Sequence, residues 1–149
     1  MQTSKTGIDL ICHFEGWSSK IYLCSGNRLT RGYGFTRDMK GKPLTLDSGD
    51  ITLEEGQQQL KHELQKFERA VERLIKVPLV ECQNDALVSF AFNLGSGALQ
   101  SSTLRRKLNR GDFEGAQREF HKWVYAGGKK LRGLILRRAA EAKLFGRAT

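Results

Sequence analysis

Cysteine is scarce in this chain and poorly arranged for structural work. Cys12, Cys24 and Cys82 are an odd number with no C-x-x-C spacing. That argues against a disulfide framework and against a zinc site, and it leaves Cys12 and Cys82 to be expected as small core residues. His13, His62 and His121 stand isolated, without ligand spacing, so surface or packing roles are expected of them. No metal and no cofactor is called for. Long apolar runs are missing as well. The opening Met1-Gln2-Thr3-Ser4-Lys5 is polar, and nothing after it has the length of a signal peptide, a signal-anchor or a membrane span. Internal repeats, low-complexity tracts and the standard nucleic-acid-binding motifs are also absent, so no specific nucleic-acid partner is expected.

Acidic residues are short only at one end. Through Leu104 the chain has twelve Lys and Arg against twelve Asp and Glu, whereas from Arg105 onward it has thirteen against four. The last third therefore carries the whole formal charge of +9. A basic third of this kind suits an anionic envelope surface as partner, or is simply a solvated basic face. At 149 residues the chain is expected to be one domain in two lobes, roughly 1–76 and 77–149, and to be a monomer.

What is present is read from the beginning. Residues 6–15 form an amphipathic helix in which Ile8, Ile11 and Cys12 precede Glu15 on one row. A carboxyl at the end of that row is partly desolvated and sits at the negative end of the helix dipole. Both effects favour the neutral form that acid catalysis needs. Two β-rich runs follow, Lys20–Cys24 and Arg28–Gly34, around Ser25-Gly26-Asn27. They read as a hairpin with Cys24 opposite Arg28 and Tyr22 opposite Thr30. Cys24 and Thr30 then share one face, provided that no bulge in the turn changes the parity.

Residues 35–50 read as loop or short irregular strand. Thr52 and Glu55 form a capping box, and Leu60, Leu64, Phe67, Val71 and Leu74 continue as one seam to a stop at Pro78. A helix over about 53–76 suits a connector between lobes. Residues 86–94 are apolar nearly all round, as in a helix buried in a bundle. Ser101 or Ser102 caps a helix holding Leu104 and Leu108. Asp112 caps the next, with Phe113, Ala116, Phe120 and Trp123 inward. Gly127-Gly128 precedes a final helix over about 131–145, whose inward row is Leu131, Ile135, Arg138, Ala142 and Phe145. The fold class expected is α+β: a small hairpin-containing N-terminal lobe joined by a long helix to a larger all-helical lobe, with a cleft between them. Arg138 on a buried row needs an anion, and Glu141 three residues on or Glu15 could serve.

The pattern Glu15, eight residues, Cys24, five residues, Thr30, followed by Gly32-Tyr33-Gly34, resembles the catalytic signature of the phage-type lysozymes, the endolysins of glycoside hydrolase family 24. The resemblance continues through Gln83–Gly95, Ser102-Thr103-Leu104, Trp123, Gly127-Gly128, and Leu131 to Glu141. Many members carry Asp where this chain has Cys24, and Cys is a variant there. The resemblance implies hydrolysis of the β-1,4 bond between N-acetylmuramic acid and N-acetylglucosamine in peptidoglycan, with Glu15 as the acid. Phe92, Asn93 and Thr103 match positions that line the sugar groove in relatives, and Arg137 and Arg138 are candidates for an arginine paired with the acid. Core packing for Phe92 and helix-end hydrogen bonding for Asn93 and Thr103 are the plainer alternatives. The resemblance also implies an endolysin held in the host cytoplasm until a holin releases it to the wall.

With Cys24 replacing the carboxylate, a retaining nucleophile is lacking. The expectation is an inverting reaction in which Thr30 and Cys24 orient the attacking water. A lytic transglycosylase, which uses no water, and a non-catalytic cationic protein that disrupts membranes are the rival readings.

Overall fold

Gly16 ends the first helix. Its φ of +74° is a backbone state few side chains tolerate, and its N–H returns 3.2 Å to the carbonyl of Cys12, which closes α1 (Lys5–Glu15) directly after Glu15. The computed structural model describes residues 1–148, so Thr149, the end of the expected 77–149 lobe, lies outside the described residues. The order of elements is α1, β1 (Ser18–Leu23), β2 (Leu29–Gly32), α2 (Leu53–Leu74), α3 (Glu81–Leu94), α4 (Ser96–Ser101), α5 (Thr103–Asn109), α6 (Phe113–Glu119), a single 3-10 turn at Phe120–Lys122, β3 (Tyr125–Ala126), β4 (Lys129–Lys130) and α7 (Arg132–Gly146).

The chain divides into two compact units, one of residues 12–63 and one of residues 1–11 together with Leu64 onward. In the smaller unit β1 and β2 pair antiparallel, with Tyr22 opposite Thr30 and Leu23 opposite Leu29. The turn is a three-residue loop. Asn27 N–H donates to the Cys24 carbonyl at 2.9 Å, Asn27 takes the left-handed conformation at φ +58°, and Cys24 N–H donates to the Arg28 carbonyl at 3.0 Å. A bulge does occur, but between Ser18 and Tyr22, away from the turn, so the expected parity around Thr30 is kept. Tyr33, Phe35, Leu44, Ile51 and Leu60 are buried in this unit. Trp17 lies against Tyr33, with ring centroids 4.8 Å apart, and over Gly56 of α2. A side chain at Gly56 would collide with that indole, a Cβ there falling 2.4 Å from its ring. The capping box at the start of α2 is made as the sequence predicts, Glu55 N–H to Thr52 Oγ1 at 3.1 Å and Thr52 N–H to Glu55 Oε1 at 3.0 Å.

The larger unit is built around α3, buried without a break from Gln83 to Ala91. From Ala86 to Ala91 the buried helix is apolar nearly all round, as its sequence predicts, and its buried polar residues Asp85 and Ser89 are hydrogen-bonded. Phe90 meets Phe120 and Trp123 edge-on at 5.6 and 5.4 Å, and Phe120 packs on Phe145 of α7. The caps at Ser102 and Asp112 are present, each side chain accepting an N–H three residues on. The first residues belong here because Asp85 of α3 accepts from both the Ser4 N–H and the Ser4 hydroxyl. Glu68 of α2 likewise accepts from the Thr3 N–H and hydroxyl, each at 2.6 Å. Gly7 lies so close to Asp85 that a Cβ would fall 2.7 Å from its carboxyl carbon.

Several expectations are corrected. The helical lobe is not all-helical: the Gly127-Gly128 break is a second, two-residue hairpin, β3–β4, with both glycines at positive φ. A separate short helix, α4, precedes the Ser102 cap. Leu131 and Ile135 are 43% and 39% exposed rather than inward; burial on α7 begins only at Arg137. Phe113 and Trp123 are half-buried, as are Cys12 and Cys82, which are therefore not core cysteines.

Candidate active site

Glu15 is the last helical residue of α1 and is half-buried. Its Oε1 lies beside the Gly32-Tyr33-Gly34 turn, where a Cβ built on Gly34 would come within 3.6 Å of it. Gly34 has φ +84°, so the turn both needs glycine and leaves room at the carboxylate. The turn is pinned from both ends, since Arg31 N–H donates to the Phe35 carbonyl at 3.0 Å and Phe35 N–H to the Arg31 carbonyl at 2.9 Å. The buried Arg31 guanidinium anchors the same segment by donating to the carbonyls of Ser48 and Gly49 at 3.1 and 2.9 Å. That anchor is not apparent from the sequence, where Arg31 is one more charge in a turn-rich stretch.

On the hairpin, Cys24 and Thr30 meet. Thr30 is buried and its hydroxyl donates to the Arg28 carbonyl at 3.0 Å. Hydrogen bonding from the Thr30 hydroxyl, followed by the backbone groups of Arg28 and Gly26, holds the Cys24 thiol below its ordinary range. The cause is hydrogen bonding to the charged form, which stabilises thiolate. A hydroxyl has a single proton, so it serves either the Arg28 carbonyl or the thiolate. In either state its oxygen keeps lone pairs for a further donor.

The remaining sequence candidates lie in the larger unit. Phe92 is half-buried and meets Phe67 edge-on at 5.4 Å. Asn93 Oδ1 accepts from Arg138 Nη2 at 2.8 Å, and Thr103 Oγ1 accepts from Arg106 Nη2 at 2.8 Å. Arg138 is fully buried and has found Glu141, its Nε 2.7 Å from Oε1 and its Nη2 donating to Oε2 at 3.1 Å. Arg137 approaches the same carboxylate with Nε at 3.3 Å and reaches Ser89 with Nη2, while the Ser89 hydroxyl donates to Glu141 Oε2. Two guanidiniums and one hydroxyl thus converge on one carboxylate. Sequence spacing identified the Arg138–Glu141 pair but not Ser89, which is 52 residues away along the chain.

A helix ending on a carboxylate, then a bulged hairpin with a thiol–hydroxyl pair, then a bundle around one buried helix is the order of elements expected of a lysozyme-like glycoside hydrolase. The Phage lysozyme family model matches residues 12–141, and the chain belongs to that family. It is 42% identical over 150 residues to an endolysin of Acyrthosiphon pisum secondary endosymbiont phage 1, covering 97% of this chain and 98% of that protein. To an endolysin of Bacillus phage B103 it is 42% identical over 148 residues, covering 97% of this chain but only 54% of that relative's length. Among solved structures, the endolysin from Escherichia coli O157:H7 phage FAHEc1 matches with a TM-score of 0.90 at 37% identity, covering 100% of this chain and 96% of that one. No helix among the described residues is long and apolar enough to cross a membrane.

Proposed function

We propose that this chain is an endolysin muramidase that hydrolyses the β-1,4 bond between N-acetylmuramic acid and N-acetylglucosamine in peptidoglycan. In this reading it works as a monomer on glycan strands, waiting in the host cytoplasm for a holin. The observation that carries the reading is the hydrogen-bonded Cys24–Thr30 pair, with its thiol shifted toward thiolate, in the same unit as Glu15.

In the proposed reaction the protonated Glu15 carboxyl gives its proton to the leaving glycosidic oxygen as the C–O bond breaks. A water held by Thr30 Oγ1 and Cys24 Sγ attacks the anomeric carbon from the opposite ring face, and its proton passes to the Cys24 thiolate. The anomeric configuration inverts, because no side chain forms a covalent bond to the sugar. Glu15 ends as carboxylate and Cys24 as thiol, and both exchange protons with solvent before the next turnover. The lowered thiol pKa supports the least conventional step, since a thiol at its ordinary value of about 8.5 would be largely protonated at neutral pH. Phe92, Asn93 and Thr103 are proposed to contact the sugars.

The test is muropeptide release from purified cell walls, with mass spectrometry of the fragments. Glu15→Gln is expected to lose at least roughly a hundredfold in rate. Fragments ending in reducing sugars, one water of about 18 Da heavier than anhydro ends, are expected. Anhydro ends would replace this mechanism by lytic transglycosylation.

One observation favours a second reading. Tyr125, Leu131, Ile135 and Leu136 are exposed beside Lys129, Lys130 and Arg132, an apolar patch with basic neighbours that suits an anionic membrane surface. Glu15→Gln protein that kills bacteria as well as the parent protein would establish that reading over hydrolysis.

A further inference from the structure

The stretch from Ser101 to Gly111 holds four basic residues and no acidic one. Arg105, Arg106 and Arg110, with Asn109, line a surface cavity of about 350 Å³. The side chains of Arg105, Arg106 and Asn109 are held by neutral partners instead of carboxylates. Arg105 donates from Nε to the Leu74 carbonyl and from Nη1 to the Gln100 carbonyl, each at 3.0 Å. Arg106 donates from Nη1 to the Ser101 carbonyl at 3.2 Å and from Nη2 to Thr103 Oγ1. Asn109 is clamped between the Leu74 carbonyl at 2.9 Å and the Lys76 N–H at 2.7 Å. The nearby carboxylate of Glu119 is taken by Lys107 and Lys122, at 3.2 and 2.6 Å. Among the described residues no carboxylate pairs with Arg105, Arg106 or Arg110, and Arg105 Nη2 and the Arg110 guanidinium have no protein acceptor.

Neutral acceptors orient a guanidinium without cancelling its charge. Two such groups, Arg105 and Arg106, with the exposed Arg110 guanidinium beside them, make a cationic pocket around one hollow. A single carboxylate would neutralise only one of the three. A phosphate monoester brings a charge of roughly −1.5 to −2 and three acceptor oxygens, which suits planar forks arriving from several sides. The cavity is at the small end of the range of small-ligand sites, about 300–1,000 Å³, so it has room for a sugar ring beside the phosphate. We propose that this pocket binds phosphorylated sugars, and that the source is phosphate-bearing glycan of the bacterial envelope. The choice of source rests on the endolysin reading, whereas the chemistry of the pocket does not.

The test follows arginine Nε–H and Asn109 side-chain NMR signals of the full chain during titration at constant ionic strength. The probes are glucose 1-phosphate, inorganic phosphate and glucuronate. The two phosphates are expected to shift Arg105 and Asn109 saturably, and glucuronate far less. Exposed Arg110 has no structural partner to lose. Arg110→Ala is expected to weaken glucose 1-phosphate binding about threefold to fivefold, and Arg110→Glu to weaken it further. Muropeptide release from purified, phosphate-free wall should stay at the parent rate in both variants. Equal response to glucuronate, or binding untouched by Arg110→Glu, overturns the site. For the source, the protein is co-sedimented with envelope fragments carrying lipopolysaccharide, before and after phosphatase treatment. Loss of binding after treatment is expected; binding that survives it overturns the envelope assignment. Absence of muropeptide release from the parent protein would instead overturn the endolysin reading, while the NMR titration still reports on the pocket.

Discussion

Replacing Glu141 by Gln removes the carboxylate on which Arg137, Arg138 and Ser89 converge while keeping its shape. Glu141 and Arg138 are 0% exposed and Arg137 is 3% exposed, so water cannot take over the lost charge. Arg138 would keep the Asn93 carbonyl at 2.8 Å, and Arg137 would keep its Ser89 contacts at 3.3–3.4 Å. Those are neutral acceptors. Removing one partner of a buried ion pair costs about 3–5 kcal/mol, and the surviving hydrogen bonds argue for the low end, about 3 kcal/mol. For a chain of this size each kcal/mol moves the melting midpoint by roughly 2–4 °C, so a fall of about 6–12 °C is expected by calorimetry at neutral pH. The companion variant Arg138→Met with Glu141→Gln should recover part of the loss, because a pair of neutral groups replaces a stranded cation. A Glu141→Gln midpoint within about 2 °C of the parent, less than 1 kcal/mol, would refute the view that this carboxylate neutralises the buried arginines.

The hairpin gives a pH prediction with a definite sign. Because the Thr30 hydroxyl holds the Cys24 thiol low, thiolate persists to lower pH than an ordinary thiol allows. Thr30→Val should therefore move the acid limb of the residual rate profile upward, and Cys24→Asp, expected to be active, should move it down toward the carboxylate value of about 3.9. Full activity in Cys24→Ala, read by muropeptide release, would reduce Cys24 to packing. Gly34→Ala forces a left-handed backbone at a residue with a Cβ, at a cost of about 1–2 kcal/mol, and shifts the turn against Glu15; activity should fall more than the melting midpoint suggests. Thr52→Ala removes one reciprocal cap hydrogen bond of α2 and should cost about 1 kcal/mol in chemical denaturation, leaving activity nearly intact.

Much of this protein is written in short-range pattern. The capping box at Thr52 and Glu55, the caps at Ser102 and Asp112, and the Tyr22–Thr30 register all connect residues within about eight positions of each other. Side-chain period and cap geometry are local properties of the backbone, so the sequence carries them directly. The nearly all-round apolar character of α3 announces its burial for the same reason. The candidate residues Glu15, Cys24 and Thr30 were legible through their spacing, and their family resemblance named the chemistry to look for.

Other features were settled only when distant segments met. Ser4 and Thr3 bond Asp85 and Glu68, which draws residues 1–11 into the same unit as α3, a union no window of sequence contains. Leu131 and Ile135 have the spacing of a buried row but nothing covers them, because periodicity states which face is apolar and not whether a neighbour reaches it. Arginines 105, 106 and 110 read as undirected charge until Leu74, Gln100 and Ser101 supplied the carbonyls that orient two of them around a hollow. The acidity of Cys24 likewise arises from a hydroxyl across the ribbon. Burial, partner choice and ionisation are set by what stands opposite a group in space, and the chain must fold before that is decided.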